Sequence, residues 1–372
     1  MPDKGLSFRS CGCQVGATEA HPTVMRPTRR GFLAGAASAA GVGLSLPAWA
    51  QGAPAPAASP LSAGKRIDIH HHFSPPNYIP ELVKRNTNQK PLEEWTVQKS
   101  LDVMGKAGIE TAMVSISEPG VWFGDNKEGV RIARETNEWG AKLVADHPGR
   151  FGLFASLPIP DIDGSLKEIE YAFDTLKADG ICMMTSYAGT YLVDKSLEPV
   201  MAELNRRKAV IFTHPVKADC CKALVPDVGP NTIELGTDTA RTITSILVSG
   251  TVVRYPDIRF IFSHAGGSAP ALTGRLISQI SSSPATKKMM PDGPVPYLQK
   301  LFYDTANAAN PYALAPLMKL VSTSQILFGS DFPLRSPEEN AQGLIDLKLF
   351  NDTELNAINR SNAERLLPRL KI

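Results

Sequence analysis

Eight short apolar runs bounded by turn residues recur along the chain: Arg66–Ile69, Thr111–Ile116, Phe151–Ala155, Gly180–Met184, Ala209–Phe212, Arg259–Phe262, Leu301–Tyr303 and Gln325–Phe328. Between most of them lie stretches of helical periodicity, among them Val97–Lys106, Val130–Asp146, Leu166–Ala178, Leu197–Arg207 and Thr239–Tyr255. Strands buried on both faces read as continuous apolar runs, so the alternation points to parallel strands covered by helices. Eight strands are what a closed (β/α)8 TIM barrel requires, and roughly 250 residues are typical of one. A doubly wound open sheet shares this periodicity and stands as the rival fold.

Upstream of the first run the chain has a different character. Thr28-Arg29-Arg30-Gly31-Phe32-Leu33 places two arginines before a weakly apolar, Ala/Gly-rich stretch ending at Leu46, and Ala48-Trp49-Ala50 offers small residues for a signal peptidase. Residues 1–50 are therefore expected to be a leader with a twin-arginine export signal, translated from Met25 and cut after Ala50, with the periplasm as destination. A membrane anchor is the alternative, but a spanning helix needs about 20 strongly apolar residues. Residues 51–64, rich in Ala and Pro, read as a flexible tether, and 65–372 as the catalytic barrel.

The first 50 residues hold five of the 39 basic and two of the 37 acidic side chains, so the remainder is close to neutral and carries no nucleic-acid footprint. Cys11 and Cys13 leave with the leader, and Cys182 sits inside an apolar run as a small hydrophobe. The vicinal pair Cys220-Cys221 reads as two loop thiols near the barrel mouth, with a soft metal ligand or a strained disulfide as alternatives.

His70, His72, His214, His264 and Asp331 each stand at the downstream end of an apolar run. In a parallel barrel those ends meet at one mouth, where the chemistry is done. Strand alternation puts His70 and His72 on one face and His71 on the other. Alone, that pairing also describes stacked core or surface histidines. With Thr213-His214-Pro215, Ser263-His264-Ala265-Gly266-Gly267 and Gly329-Ser330-Asp331-Phe332-Pro333 at other strand ends, it describes a mononuclear metal site. Three imidazoles and one carboxylate suit zinc, with manganese, iron or cobalt as alternatives. Asp68 reads either as an orienting partner of a ligand or as a simple strand-start residue. His147, after a helix, is given no role.

Asp-x-His-x-His, the fifth-strand His, His-Ala-Gly-Gly, Gly-Ser-Asp-Phe-Pro and the terminal Asn362-Ala363-Glu364-Arg365-Leu366-Leu367 together resemble the amidohydrolase superfamily. The branch they resemble is typified by aminocarboxymuconate-semialdehyde decarboxylase. Ser117-Glu118-Pro119-Gly120-Val121-Trp122-Phe123 and the Cys-Cys loop are similar to its 6-methylsalicylate decarboxylase-like members. The resemblance implies zinc held by His70, His72, His214 and Asp331, with His264 beside it as a proton shuttle. Met183-Met184-Thr185-Ser186 offers no lysine for a bridging carbamate, so one metal is expected.

By the same resemblance, Arg275 falls where a family member supplies an arginine across a homodimer interface, a surface helix arginine being the alternative. A second substrate arginine has no counterpart, only Lys99 standing nearby, which favours a small monocarboxylic acid over a dicarboxylate. Trp122 and Phe73 are candidate apolar walls. The implied activity is nonoxidative decarboxylation of a hydroxylated aromatic or related unsaturated acid, with His264 and Asp331 handling the proton. A metal-dependent lactone or ester hydrolase is the alternative, and a noncatalytic binding protein a third reading.

Overall fold

The computed structural model describes residues 61, 65–87, 89–218, 220–221 and 224–371; the leader and, Leu61 apart, the tether lie outside the described residues. β1 (Arg66–His72), β2 (Ile109–Ser115), β3 (Phe151–Ser156) and β4 (Gly180–Met184) are followed by a short antiparallel hairpin, β5 (Ser186–Tyr187) and β6 (Thr190–Tyr191). β7 (Val210–His214), β8 (Arg259–Phe262), β9 (Phe302–Asp304) and β10 (Ile326–Leu327) follow. Eight strands pair in parallel in the order β1-β2-β3-β4-β7-β8-β9-β10. A doubly wound sheet reverses its strand order at a switch point. This one never does, which removes the open-sheet rival.

The ring closes between β1 and the segment leaving β10. Ile69 N donates to Phe328 O at 2.9 Å, Asp331 N to His70 O at 2.8 Å, and His72 N to Phe332 O at 2.7 Å. Asp68 stitches the same seam with its side chain, accepting from Ser330 N at 2.9 Å and Ser330 Oγ at 2.5 Å. A Cβ on Gly329 would lie 2.9 Å from His70 Cβ, so only glycine lets the two chain ends come this close.

Helices start where acidic or polar caps stand. Asp125 accepts from Glu128 N and begins Asn126–Asp146, four residues ahead of the periodic stretch; Asp161 accepts from Gly164 N and begins Ile162–Glu170. The expected Thr239–Tyr255 helix is two pieces, Pro230–Val248 and Thr251–Arg254, because Gly250 at φ +75° ends the first. Ala269–Ser282, Pro311–Leu320 and Pro337–Asp346 complete the larger outer helices. Among the described residues no helix is long and apolar enough to cross a membrane.

The inside of the barrel is aromatic beneath the mouth. Phe154 and Phe212 stack with ring centroids 5.6 Å apart, and Phe212 meets the His70 ring edge-on at 4.9 Å. The polar cluster therefore stands on a dry floor, where unpaired charge is costly and paired charge is strong.

Candidate metal centre and substrate cavity

β1 delivers His70 and His72, β7 ends on His214, and the turn after β10 delivers Asp331. One donor atom from each lies within 4.8 Å of all the others, and all four residues are buried. His264, just after β8, stands outside this set, its Nε2 3.6 Å from Asp331 Oδ2. His71, on the outer face of β1, bonds Asp68 at 3.0 Å and Ser100 Oγ at 3.1 Å instead.

The hydrogen bonds behind the cluster decide what it can hold. His70 Nδ1 donates to Asp304 Oδ2 at 2.8 Å, and His72 Nδ1 to the Ser115 carbonyl at 3.3 Å. A carbonyl accepts only from N–H, so the His72 proton is on Nδ1, and the Asp304 carboxylate fixes His70 likewise. Both Nε2 lone pairs then face each other at 3.0 Å, with Asp331 Oδ1 at 3.3 and 3.2 Å from them. Two lone pairs and a carboxylate oxygen converge on one point, which a cation satisfies. Asp331 Oδ1, His214 Nδ1 and His264 Nε2 are buried without a hydrogen-bond partner.

The electrostatics agree. Burial works against a charged His70, yet the carboxylates of Asp304 and Asp331 push it up to about 10, so without another cation the cluster retains a proton. Burial lowers His72, and burial with the neighbouring imidazoles lowers His214 well below its usual value, leaving both as neutral donors. Burial opposes ionisation of Asp331, but the positive charge on His70 and the surrounding imidazoles hold it well below the carboxylate range. Neutral imidazoles plus an ionised carboxylate fit a divalent metal ion.

Asp304 is the functional residue that sequence reasoning missed. Wholly buried, it holds the His70 ring with one oxygen while the other accepts from His264 N at 2.9 Å and Ala306 N at 3.0 Å. It thus ties a metal ligand to the loop that carries the shuttle candidate. Its signal was available, since it is an acidic residue at the downstream end of the seventh strand, as Asp331 is after the eighth. Asp68, the orienting candidate, acts on the backbone of a ligand, accepting from His70 N at 3.1 Å, and also bonds His71 and Ser330 of the seam.

The backbone is strained at the mouth. His264, Ala265 and Asp331 have φ of +57°, +56° and +64°, a region costing non-glycine residues about 1–3 kcal/mol each. Gly267, at φ +60°, passes so near Gly236 that a Cβ would lie 2.1 Å from its carbonyl oxygen. This close approach presses the His264 loop onto the Pro230–Val248 helix.

A cavity of about 470 Å³ opens over the cluster, reaching His214, His264 and Asp331 and bordered by Asn307, Lys217 and Arg335. Phe73 is not one of its walls: alternation turns it outward with His71, and it packs against Trp95 and Trp139 with ring centroids 6.2 and 6.1 Å away. Trp122 lines a neighbouring cavity. Arg275 is exposed on the Ala269–Ser282 helix, and Lys99 lies at the surface against Glu94. Cys182 is buried, and burial pushes its thiol up to about 12. Cys220 and Cys221 are free thiols in the loop after β7.

Residues 67–369 match the amidohydrolase family. The chain is 34% identical over 328 residues to decarboxylase macB of Penicillium terrestre, covering 82% of this chain and 96% of that protein. It is 31% identical over 318 residues to 6-methylsalicylic acid decarboxylase of Penicillium expansum, covering 82% and 97%. A crystal structure described as amidohydrolase II superposes with a TM-score of 0.75 at 30% identity, over 82% of this chain and 99% of that one.

Proposed function

The chain belongs to the amidohydrolase family, as a metal-dependent nonoxidative decarboxylase of hydroxylated aromatic acids, and we propose that its substrate is a monocarboxylic 2-hydroxybenzoate of the 6-methylsalicylate kind. The observation that carries this reading is the cavity in which His264 Nε2 and Asp331 Oδ2 stand 3.6 Å apart beside the four-donor cluster. Zinc is the proposed ion, held by His70, His72, His214 and Asp331. When bound, such an ion is a Lewis acid able to grip a carboxylate and an ortho hydroxyl.

The protein groups supply the proton. His264, unpartnered in the cavity, protonates the ring carbon that bears the carboxylate, and ionised Asp331 stabilises the imidazolium before transfer. The C–C bond then breaks, its electron pair restores the aromatic ring, and CO2 departs. His264 regains its proton from solvent at the mouth. Asp304 acts through both partners, keeping the His70 lone pair forward and the His264 backbone in place.

Two further parts of the reading concern assembly and address. Arg275 and Leu272, three residues apart, share an exposed face of the Ala269–Ser282 helix, which suits a homodimer in which Arg275 enters the neighbouring cavity. The twin-arginine leader supports periplasmic delivery, and Arg29→Lys with Arg30→Lys should leave unprocessed protein in the cytoplasm.

The deciding experiment is turnover of 6-methylsalicylate in heavy water. One deuterium at the vacated carbon with release of CO2 is the expected result. No loss of CO2 from any member of a hydroxybenzoate panel, together with hydrolysis of a lactone, would overturn the reading.

A further inference from the structure

Beside the metal cavity lies a second one of about 380 Å³, and the two share Glu118 and Lys217 in their linings. None of the groups in the proposed reaction faces it. Lys217 Nζ lies 2.6 Å from Glu118 Oε2, and Lys217 N donates to Glu118 Oε1 at 3.1 Å. This pair joins the loop after β2 to the loop after β7 and forms the partition between the chambers. The side chains are only 21% and 14% exposed, and the backbone N–H of Lys217 also holds Glu118, so parting the pair moves the loop after β7 together with the side chains.

Among the described residues the far wall presents the side chains of Trp122, Tyr187, Tyr191, Pro119 and Val216, with Ser186 and Cys220 as its polar members. The polar atoms of the three aromatic side chains are engaged elsewhere. Trp122 Nε1 donates to Asn126 Oδ1 at 3.0 Å, Tyr187 Oη accepts from Met184 N at 3.0 Å, and Tyr191 Oη donates to Asp238 at 2.5 Å. Burial and the Asp238 carboxylate push the Tyr191 phenol up to about 12, so it stays neutral. These side chains therefore offer the cavity ring faces and edges.

The wall is also preformed. Asp238, wholly buried, accepts from Thr185 Oγ1, Tyr191 Oη and Arg241 Nη1, clamping the β5–β6 hairpin to the Pro230–Val248 helix. A preformed chamber faced by three aromatic rings accommodates an apolar substituent.

We propose that this second chamber is a substrate subsite for an extended, uncharged apolar substituent on the hydroxybenzoate ring, entered when the Glu118–Lys217 pair parts. The proposal rests on the reading of the first cavity as the hydroxybenzoate site. It makes the enzyme selective for ring acids bulkier than 6-methylsalicylate.

The test uses the metal-loaded protein, salicylates bearing pentyl at ring position 4, 5 or 6, and 6-methylsalicylate. Ala218 lines the second chamber and not the first, so Ala218→Phe fills the subsite; Val216→Phe is the second variant. Each buried methylene is worth roughly fourfold in affinity, so four additional ones carry well over tenfold. At least one pentyl isomer is expected to lose tenfold or more in kcat/KM relative to 6-methylsalicylate in both variants. Equal losses for every substrate, or rejection of all three isomers by the unaltered enzyme, would overturn the subsite. Calorimetric titration with the inert probe 3-pentylphenol separates the two readings. Binding weakened tenfold in the variants, without decarboxylation of any salicylate, supports the apolar chamber and removes the reaction; equal binding removes the chamber even where the enzyme decarboxylates 6-methylsalicylate.

Discussion

Asp304→Asn isolates one atom of the metal centre. Asn can keep its Oδ1 on the His264 and Ala306 N–H groups, at 2.9 and 3.0 Å in the parent, which turns its NH2 toward His70 Nδ1, 2.8 Å from the lost oxygen. Two N–H groups cannot face each other there, so His70 moves its proton to Nε2, the atom needed for the ion. Loss of a charge-assisted bond of this kind costs about 1.5–3 kcal/mol, or about 10- to 150-fold in an equilibrium constant. Metal affinity is therefore expected to fall about 100-fold, in line with the usual effect of losing a group behind a ligand. The fold should hold, because the switched imidazole still accepts a hydrogen bond. Chelator competition gives the affinity and a thermal melt of the metal-free protein gives the fold. An affinity within threefold of the parent would refute the tautomer argument, as would a large drop in Tm with unchanged affinity.

His264→Ala should cut kcat by about 10²–10⁴ with metal content unchanged, measured by product formation and elemental analysis, because it removes the proposed proton donor and no metal donor. Since the His70 pKa is raised from 6.5 to about 10, its proton stabilises the metal-free fold fully below about 6.5 and that contribution fades as pH rises toward 10. A metal must displace this proton, so apparent affinity should rise about tenfold per pH unit across that window; a flat profile by chelator competition would contradict it. Gly267→Ala should lower stability by about 1–3 kcal/mol in denaturant titration, because the added methyl meets the Gly236 carbonyl. Arg275→Ala and His264→Ala proteins, each nearly inactive, should partly restore activity when mixed if subunits exchange, and no rescue would place Arg275 outside its partner's site.

The fold was legible because each barrel strand is buried on both faces, which leaves an uninterrupted apolar run in the chain. The ligands were legible for a related reason: a strand that is apolar to its last residue makes a terminal His or Asp conspicuous. Phe73 fails that logic, since its neighbour His72 points inward and the alternation turns Phe73 toward Trp95 and Trp139. Asp304 escaped because the apolar run ends at Tyr303, one residue short of the end of β9. Helix starts were hidden where caps precede the periodic pattern, as at Asp125 and Asp161. The second chamber had no sequence signature at all. Its walls come from loops after β2, β4 and β7, and its partition is a charge pair between residues far apart in the chain.

The seam between β1 and the exit of β10 has a consequence for how the enzyme is made. Two ligands emerge from the ribosome near the start of the barrel and the carboxylate ligand near its end, and hydrogen bonds join them only once Asp331 N reaches His70 O. A nascent chain thus exposes a His-x-His pair for most of its synthesis without the pocket that would make it selective. The four donors converge only where the ring is closed, so the complete ligand set belongs to the finished barrel.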